Sequence, residues 1–329
     1  MEWIKPANGQ DPLLLSGIQK NRFAAAALDH TYNSSKVVPN RPVALTELLA
    51  EFDDLCRLNQ ASVVSDRFQH FKIPNAVPED FCERIFAIES EGHVLAGIRF
   101  AGGNPEKPFV SIWPDFAISK QSTIPLLTEL ATQEFSIFDP KEINFWLNPE
   151  TDIAQSLKET ITPSLRYIVG RANRIRLQDR PQRYDDVTLI PPDGDEYLDW
   201  YAASYRAFHE LRPDLRDWVP ANDREQMEEA RSQGLLFLAH VNGIRAGLIA
   251  AIPRSLLGHR GVYFIDIVMS EEHKGKGLAH VLQRKFIDGL SEEIDVVWGT
   301  IDTKNITSTK TALRVGRSSI REEFFVPLN

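Results

Sequence analysis

The chain has 329 residues, which at roughly 150 residues per domain predicts two domains. Hydrophobic residues make up 43% and charged residues 25%, a composition that excludes general disorder, collagen-like repeats and coiled-coil arrays. The 37 basic residues are outnumbered by 46 acidic ones, and the formal net charge of -9 argues against a nucleic-acid partner while it suits a small cationic substrate.

The cysteine content and the lengths of the apolar runs predict the cellular compartment and whether the protein is associated with a membrane. Two cysteines, Cys56 and Cys82, are too few for a disulfide framework and suit a reducing compartment. Residues 1–17 hold a three-residue apolar run followed by polar residues, which is not the pattern of a signal peptide. No run approaches the ~20 apolar residues of a membrane span. We therefore expect a soluble, cytoplasmic protein with no membrane partner.

The first half of the chain is predicted from its periodicity, in chain order. Residues 1–42 give little signal beyond one possible helical turn at 24–28, and we treat them as an N-terminal extension. Apolar residues at spacings of three and four then predict a helix over 43–58. The elements predicted after it are a hairpin of strands at 84–89 and 94–101, a strand at 109–118, a helix at 124–135 and a strand at 142–147.

A polar segment at 178–186 (QDRPQRYDD) predicts the linker between two domains, which we place at 43–178 and 179–329. The second half repeats the order helix, hairpin, strand, helix, strand, with little residue identity to the first. The predicted fold class is therefore α/β (α+β), with two tandem domains, each a mixed and mostly antiparallel central sheet flanked by helices. The second-half elements are helices at 195–210, 224–232 and 278–290, a hairpin at 235–252, strands at 261–269 and 296–301, a short helix and a last apolar run at 324–326.

One segment carries a chemical signal, at residues 262–279. A buried strand runs into a loop with two glycines and two lysines, and an amphipathic helix follows. Glycines let the backbone approach a ligand closely, and the first amides of a helix point at whatever lies over its N-terminus. The helix dipole favours an anion there, so the segment predicts a phosphate cradle. It is neither a P-loop nor a G-x-G-x-x-G dinucleotide fingerprint, because the glycine spacing differs.

The loop resembles the acetyl-CoA-binding motif Q/R-x-x-G-x-G/A of the GNAT superfamily of N-acetyltransferases, with lysine at its first position. A second segment after the next strand resembles the superfamily's N-x-x-A/S-x-x-x-Y-x-x-x-G helix, with Asn305, Ser308 and Gly316 at the expected spacing. The resemblance implies a GNAT-like fold, acetyl-CoA as co-substrate, loop amides that bind the CoA pyrophosphate and a strand end that pairs with the pantetheine arm. The CoA-binding positions it implies are Val268, Met269, Lys274, Gly275, Lys276, Gly277, Leu278, Ala279, Asn305 and Ser308.

Acetyl transfer needs a neutral amine, so a general base is required. Asp266 is the candidate catalytic residue, since it is a carboxylate within an apolar strand just before the loop and the superfamily often carries an acid there. At Ala312 many members have a tyrosine that is thought to protonate the departing thiolate, which alanine cannot do. Another group or water must then do so, or activity is weak or absent. The histidines lack paired ligand spacing, so no metal is expected.

The first half lacks the cradle. Residues 118–125 contain no glycine, and Pro125 has no amide to offer a phosphate. We interpret this half as a degenerate copy that does not bind CoA, an organisation known in the superfamily.

The predicted function is an acyl-CoA-dependent N-acyltransferase, with acetyl favoured as the acyl group and the amine of a small molecule as acceptor, by direct attack on the thioester. Two alternatives stay open: a non-catalytic CoA-binding or ligand-sensing module, and a protein N-acetyltransferase acting on a lysine or an N-terminus.

Overall fold

A computed structural model describes residues 16–328, which form two compact units. Of the described residues, unit 1 comprises 16–34, 40–164 and 321–328, and unit 2 comprises 35–39 and 165–320. The helices are α1 (Gly17–Thr31), α2 (Arg41–Arg57), α3 (Ala61–Phe71), α4 (Thr123–Glu134), α5 (Asp152–Leu157), α6 (Ala172–Arg176), α7 (Leu198–Leu211), α8 (Arg224–Ser232), α9 (Leu278–Gly289) and α10 (Ile306–Arg314). The strands are β1 (Arg84–Ile88), β2 (Gly92–Phe100), β3 (Pro108–Pro114), β4 (Glu142–Leu147), β5 (Leu165–Arg171), β6 (Val187–Ile190), β7 (Leu236–Val241), β8 (Ile244–Pro253), β9 (Gly261–Met269), β10 (Val296–Asp302) and β11 (Ser318–Pro327).

The sheet of unit 1 has the strand order β1-β2-β3-β4-β11. All neighbours in it are antiparallel except β3 and β4. Alternating apolar residues on these strands pack with α4 and α5 into one buried cluster that includes Phe86, Ile112, Leu127 and Phe145. The helix α1 packs against α2 and β3 and so belongs to this unit.

The sheet of unit 2 has the strand order β5-β10-β9-β8-β7-β6. Its neighbours are antiparallel except β9 and β10. One face packs against α9 through residues such as Phe264, Val281 and Phe286. The other face packs against α7 and α8 through Tyr201, Met227 and others. The sheet is therefore covered by helices on both faces.

The predicted fold class is confirmed: each unit has a mixed, mostly antiparallel sheet with flanking helices, and the units share the order of a hairpin, a strand, a helix and a parallel strand. The predicted helices and strands all occur, with ends that differ by a few residues. The strand predicted at 109–118 ends at Pro114, for example. The elements not predicted are α1 as a full helix, α3, α5, α6, β5 and β6.

The compact units divide the chain differently from the predicted domain boundaries. The chain passes from unit 1 to unit 2 after Ser164, not at 178, because β5 pairs along its whole length with β10. The end of the chain belongs to unit 1, because Glu322–Pro327 pairs with β4. Residues 1–42 are not one separate extension, since α1 is part of unit 1, and the sequence at 1–15 lies outside the described residues.

Among residues 16–328, no helix combines the length and the apolar character needed to cross a membrane.

Candidate functional site

The glycine loop of unit 2 has the backbone conformation that a cradle requires. Gly275 and Gly277 have φ angles of 74° and 76°, in the left-handed region that side chains disfavour. A Cβ added at either glycine would meet nothing within 4 Å, so the loop surface in front of them is open. Gly277 is the N-cap of α9, which places the loop directly over the N-terminus of a twelve-residue helix.

Five consecutive amides at residues 275–279 face this open surface. Within the described part of the chain, none of these N–H groups donates to a backbone or side-chain acceptor. Lys276 is exposed beside them, whereas Lys274 forms an ion pair with Glu271 and lies 4.7 Å from the centroid of the Phe208 ring. Unpaired amides at the positive end of a helix dipole bind anions, and one exposed lysine adds to the attraction. The predicted phosphate cradle therefore has the geometry its chemistry needs.

An open cleft leads from the paired part of the sheet to this loop. The parallel strands β9 and β10 pair at only three positions, from Gly261 with Val296 to Tyr263 with Trp298. Beyond Tyr263 the strand β9 continues to Met269 and pairs only with β8, so its other edge is open. Val268 and Met269 lie on this open-edged part, and both side chains are buried. Backbone amides and carbonyls on that edge can therefore hydrogen-bond an extended ligand.

Asn305 and Ser308 lie at the start of α10. The Asn305 Oδ1 atom accepts the Ser308 N–H at 3.2 Å, so the asparagine caps the helix. Since α9 and α10 each follow one of two parallel strands, both helices begin at the same edge of the sheet, and α10 packs beside α9. The structure therefore brings Asn305 and Ser308 to the edge where the glycine loop lies. Ala312, further along α10, is fully buried.

A β-bulge decides which face of the sheet Asp266 occupies. Ala250 pairs with Asp266 and Ala251 with Phe264, so Ile265 is an extra residue in β9. Without it, Asp266 would point to the same face as Phe264, into the apolar cluster under α9. With it, Asp266 turns to the face covered by α7 and α8.

Asp266 is held there by three side chains. Its side chain lies in the interior and the residue is 8% exposed. The Tyr205 hydroxyl lies 2.9 Å from both carboxylate oxygens, the Tyr201 hydroxyl donates to Oδ2, and the Asn222 Nδ2 group donates to Oδ2 at 3.2 Å. Burial raises the pKa of the Asp266 carboxyl, although the hydrogen bonds from these three side chains and from the Ile267 backbone act in the opposite direction. Burial and the nearby carboxylate also raise the pKa values of both tyrosines, which stay protonated donors.

The tyrosines and Asn222 are functional candidates that sequence reasoning did not assign. Tyr201 and Tyr205 are four residues apart on α7, a spacing that puts them on one face of the helix and by itself indicates core packing. They are core residues and also the partners of Asp266. Asn222 carried no local signal: its Nδ2 group reaches the bulged carbonyl of Ile265 at 3.0 Å from a loop 43 residues away in sequence.

Changing Tyr205 to phenylalanine is expected to move the ionisation of Asp266. The hydroxyl donates to the charged form of the carboxylate, so its loss raises the pKa of Asp266 further. A hydrogen bond to a charged group is worth about 1.5–3 kcal/mol, which corresponds to about one to two pKa units. The turnover rate of the variant should therefore begin to rise at a higher pH than that of the wild-type protein and should reach a similar plateau. An unshifted profile would contradict the assignment of that ionisation to Asp266.

The segment between α7 and α8 covers the same face of unit 2. The His209 Nε2 atom lies 2.9 Å from the Val219 carbonyl oxygen, which fixes the segment to the end of α7. The Lys304 ammonium lies 3.4 Å from the centroid of the half-exposed Trp218 ring. The segment therefore also contacts the residues after β10. Asp302, at the end of β10, has its pKa raised by burial.

Unit 1 uses the corresponding loop amides internally. After β3, the N–H of Thr123 donates to the Lys120 carbonyl at 3.1 Å and that of Ile124 to the Gln121 carbonyl at 3.3 Å, while Pro125 has no N–H. The first helical positions of α4 therefore offer no unpaired amide at residues 123–125, unlike the first positions of α9. This is the feature of unit 1 that corresponds to the prediction that the first half lacks a phosphate cradle.

The splayed strands of unit 1 also enclose a side chain of their own. The parallel strands β3 and β4 pair only from Phe109 with Glu142 to Ser111 with Asn144. The fully buried Arg321 guanidinium lies 5.5 Å from the Trp113 ring on β3 and 4.6 Å from the Trp146 ring on β4. It donates to the Tyr32 hydroxyl at 2.8 Å. An arginine packed between these two tryptophans occupies the region that stays open in unit 2.

Comparison with known proteins gives structural similarity only. No protein-family model matches the sequence, and no curated protein sequence matches it. The chain is similar to a GCN5-related N-acetyltransferase from Sphaerobacter thermophilus, with 14% identity, a TM-score of 0.45 and coverage of 82% of this chain and 91% of that one. It is similar to an acetyltransferase of the GNAT family from Colwellia psychrerythraea, with 10% identity, a TM-score of 0.46 and coverage of 81% and 96%.

A third similar structure is described as a tandem GNAT protein from the clavulanic acid biosynthesis pathway, with 12% identity, a TM-score of 0.44 and coverage of 97% of this chain and 98% of that one. The predicted tandem arrangement is itself visible in the strand order, because each unit has one parallel strand pair that separates after three positions.

Proposed function

We propose that the protein is an acyl-CoA-dependent N-acyltransferase whose site lies in unit 2, with acetyl as the simplest acyl group and a small amine as acceptor. One observation carries the proposal: the open edge of β9 leads into five unpaired amides at the N-terminus of α9. That combination fits a ligand with an extended amide-bearing arm and a pyrophosphate, which describes CoA. The two cysteines of the sequence, Cys56 and Cys82, are too few for a disulfide framework, which favours a reducing compartment such as the cytoplasm.

The binding role of each residue follows from its place. The amides of residues 275–279 would hold the pyrophosphate, with Lys276 supplying positive charge, whereas the Lys274 N–H donates to the Glu271 carbonyl oxygen. The open edge around Val268 and Met269 would pair with the pantetheine amides. Asn305 and Ser308 lie at the same sheet edge, where the Ser308 hydroxyl can reach the CoA while Asn305 keeps the helix start in place.

In the transfer step the nitrogen lone pair of the acceptor attacks the thioester carbonyl carbon, and the carbon–sulfur bond breaks as the amide forms. A β9 amide on the open edge would stabilise the developing oxyanion. The amine loses its proton to the Asp266 carboxylate, which Tyr201, Tyr205 and Asn222 hold in place. The CoA thiolate takes a proton from water, since Ala312 cannot supply one.

The buried Ala312 favours one alternative, a CoA-binding sensor that turns over poorly. The two functions differ in thiol release. An enzyme consumes acetyl-CoA in the presence of a suitable amine and releases free CoA, whereas a sensor binds acetyl-CoA and releases none.

We expect the full chain to bind one CoA per molecule in calorimetry, because the first amides of α9 are unpaired, whereas those of α4 are hydrogen-bonded at Thr123 and Ile124 and absent at Pro125. We also expect it to release thiol from acetyl-CoA when a panel of small cationic amines is added, as measured with a thiol-reactive dye. Two equivalents of CoA would contradict the assignment of the site to unit 2 alone. The absence of CoA binding would contradict the proposed function itself.

A further inference from the structure

Arg317 is a buried cation in unit 2 that the proposed transfer does not use. It follows α10 and is 3% exposed. Its Nη1 atom donates to the Gln283 side-chain oxygen and its Nη2 atom to the Ile168 carbonyl oxygen, both at 3.2 Å. Two glycines leave room for it: a Cβ on Gly170 would lie 3.0 Å from the Arg317 Cγ atom, and one on Gly299 would lie 3.3 Å from Nη2.

The charge of this guanidinium is uncompensated. Both acceptors are neutral, and no carboxylate of the described residues forms an ion pair with it. Its buried Nε–H has no hydrogen-bond partner among those residues. Burial lowers the pKa of Arg317 to about 9, which shows how poorly the surroundings support the charge. An unpaired charge is expensive to bury, and a ligand anion is one way to offset that cost.

The guanidinium lies where the cleft between β9 and β10 begins. The last paired positions are Tyr263 and Trp298, so Phe264 and Gly299 are the first unpaired residues of each strand. The Arg317 Cζ atom is 4.9 Å from the centroid of the Phe264 ring, and Nη2 lies next to Gly299. On the opposite face of the sheet, the Tyr263 hydroxyl is hydrogen-bonded to the Thr300 hydroxyl at 2.7 Å. This bond joins β9 to β10 at the closed end of the cleft.

We propose that Arg317 binds a carboxylate at the far end of the acyl group, so that the preferred donor is a dicarboxylic acyl-CoA of the malonyl, succinyl or glutaryl type. This rests on the proposed function, since it takes the CoA arm to lie along β9 with its pyrophosphate at the glycine loop. An acyl chain that continues from the thioester towards the closed end of the cleft then approaches the Arg317 guanidinium beside Phe264 and Gly299.

Carboxylate suits the site better than an uncharged acyl end. An arginine holds a carboxylate with two parallel, charge-assisted hydrogen bonds, and the Nε–H and one Nη–H on the same side form that fork. The Arg317 Nε–H is the donor without a partner. A bound carboxylate would accept this hydrogen bond and would also neutralise the charge of the guanidinium. The terminal carboxylate takes no part in the transfer: the amine displaces the CoA thiolate at the thioester carbon, and the product is an amide that keeps the carboxylate.

The test compares acyl-CoA pairs of equal chain length by calorimetry: malonyl with propionyl, succinyl with butyryl and glutaryl with pentanoyl, with CoA alone as reference. In the wild-type protein we expect the carboxylated member of at least one pair to bind more than tenfold tighter than its uncharged partner. In Arg317→Met this ratio should fall to one or below, with the affinity for CoA alone unchanged, and Arg317→Lys should keep part of it. Ligand-free Arg317→Met should melt at an equal or higher temperature, because the uncompensated charge is gone.

The outcomes separate this inference from the proposed function. If CoA alone does not bind, the proposed function fails. If CoA binds but each uncharged acyl-CoA binds as tightly as its carboxylated partner, the carboxylate site is refuted and the acyltransferase proposal stands. That wild-type comparison needs no variant to fold. A lower melting temperature of Arg317→Met together with an unchanged acyl ratio would equally refute the site and make Arg317 structural.

Discussion

Replacing Gly277 by glutamate is expected to abolish the binding of CoA to unit 2. The new carboxylate would stand over the five unpaired amides at the N-terminus of α9 and take the place of the pyrophosphate. It would also repel that pyrophosphate, and each charged hydrogen bond lost is worth about 1.5–3 kcal/mol. We expect the dissociation constant to rise by more than about 100-fold, or about 2.7 kcal/mol, in calorimetry with CoA.

The variant carries a backbone cost that a control must match. At Gly277 the φ angle is 76°, and a side chain in the left-handed region costs about 1–2 kcal/mol. Gly243, in the turn between β7 and β8, has a φ angle of 79°, and a Cβ there would also meet nothing within 4 Å. Gly243→Glu therefore adds the same strain and the same charge to the same unit, away from the loop.

Both glutamate variants should melt a few degrees below the wild-type protein, and only Gly277→Glu should lose CoA. If Gly243→Glu lost CoA binding to the same extent, strain or net charge would explain the effect. If Gly277→Glu bound CoA as the wild-type protein does, the loop would not be the pyrophosphate site, and the assignment of a CoA-dependent function would lose its basis.

The glycine loop could be predicted because its signal is local. The loop residues 274–279 are contiguous, and the periodicity on either side places them between a strand and a helix. The strand β5 was missed for the opposite reason. Its sequence LRYIVGR has arginines near both ends, and it becomes a strand through pairing with β10, more than 120 residues later in the chain. The boundary predicted at the polar segment after it therefore differs from the point where the chain passes between the compact units.

The environment of Asp266 shows where the sequence stops being informative. The residue could be singled out as a carboxylate in an apolar strand. Its face depends on one extra residue, Ile265, and strict alternation would have placed it under α9. Its partners come from α7 and from the segment around Asn222, and no spacing in the sequence links them to β9. Arg317 likewise looked like an ordinary residue after the Gly316 of the second motif.

Replacing Asp266 by asparagine is expected to lower turnover by about 10²–10⁴-fold while the affinity for acetyl-CoA changes little. Asparagine keeps the shape and the hydrogen-bonding reach of the side chain, and the tyrosine hydroxyls can rotate to accept from its amide. It cannot accept the proton of the amine. The wild-type rate should rise with pH through an ionisation above the usual aspartate range, because burial raises the pKa of Asp266, and the variant should lack this rise.

The same pKa shift makes a stability prediction that does not depend on the reaction. A carboxyl whose pKa is raised on folding contributes stability that is fully present below its unfolded value of about 3.9 and is lost as the pH rises through the folded value. The wild-type protein therefore gives up this contribution as the pH rises, whereas asparagine has no ionisation to lose. The melting temperature of Asp266→Asn minus that of the wild-type protein should therefore increase as the pH rises from the unfolded pKa to the folded pKa of Asp266.

The two measurements together separate a catalytic carboxylate from a structural one. A general base predicts both the lost rate and the pH-dependent difference in melting temperature. A structural carboxylate predicts the melting difference alone, with turnover near the wild-type value, and the amine would then be deprotonated by water or by another residue. A melting difference that does not vary with pH would instead show that the pKa of Asp266 is the same in the folded and unfolded protein, since its hydrogen bonds would then balance its burial.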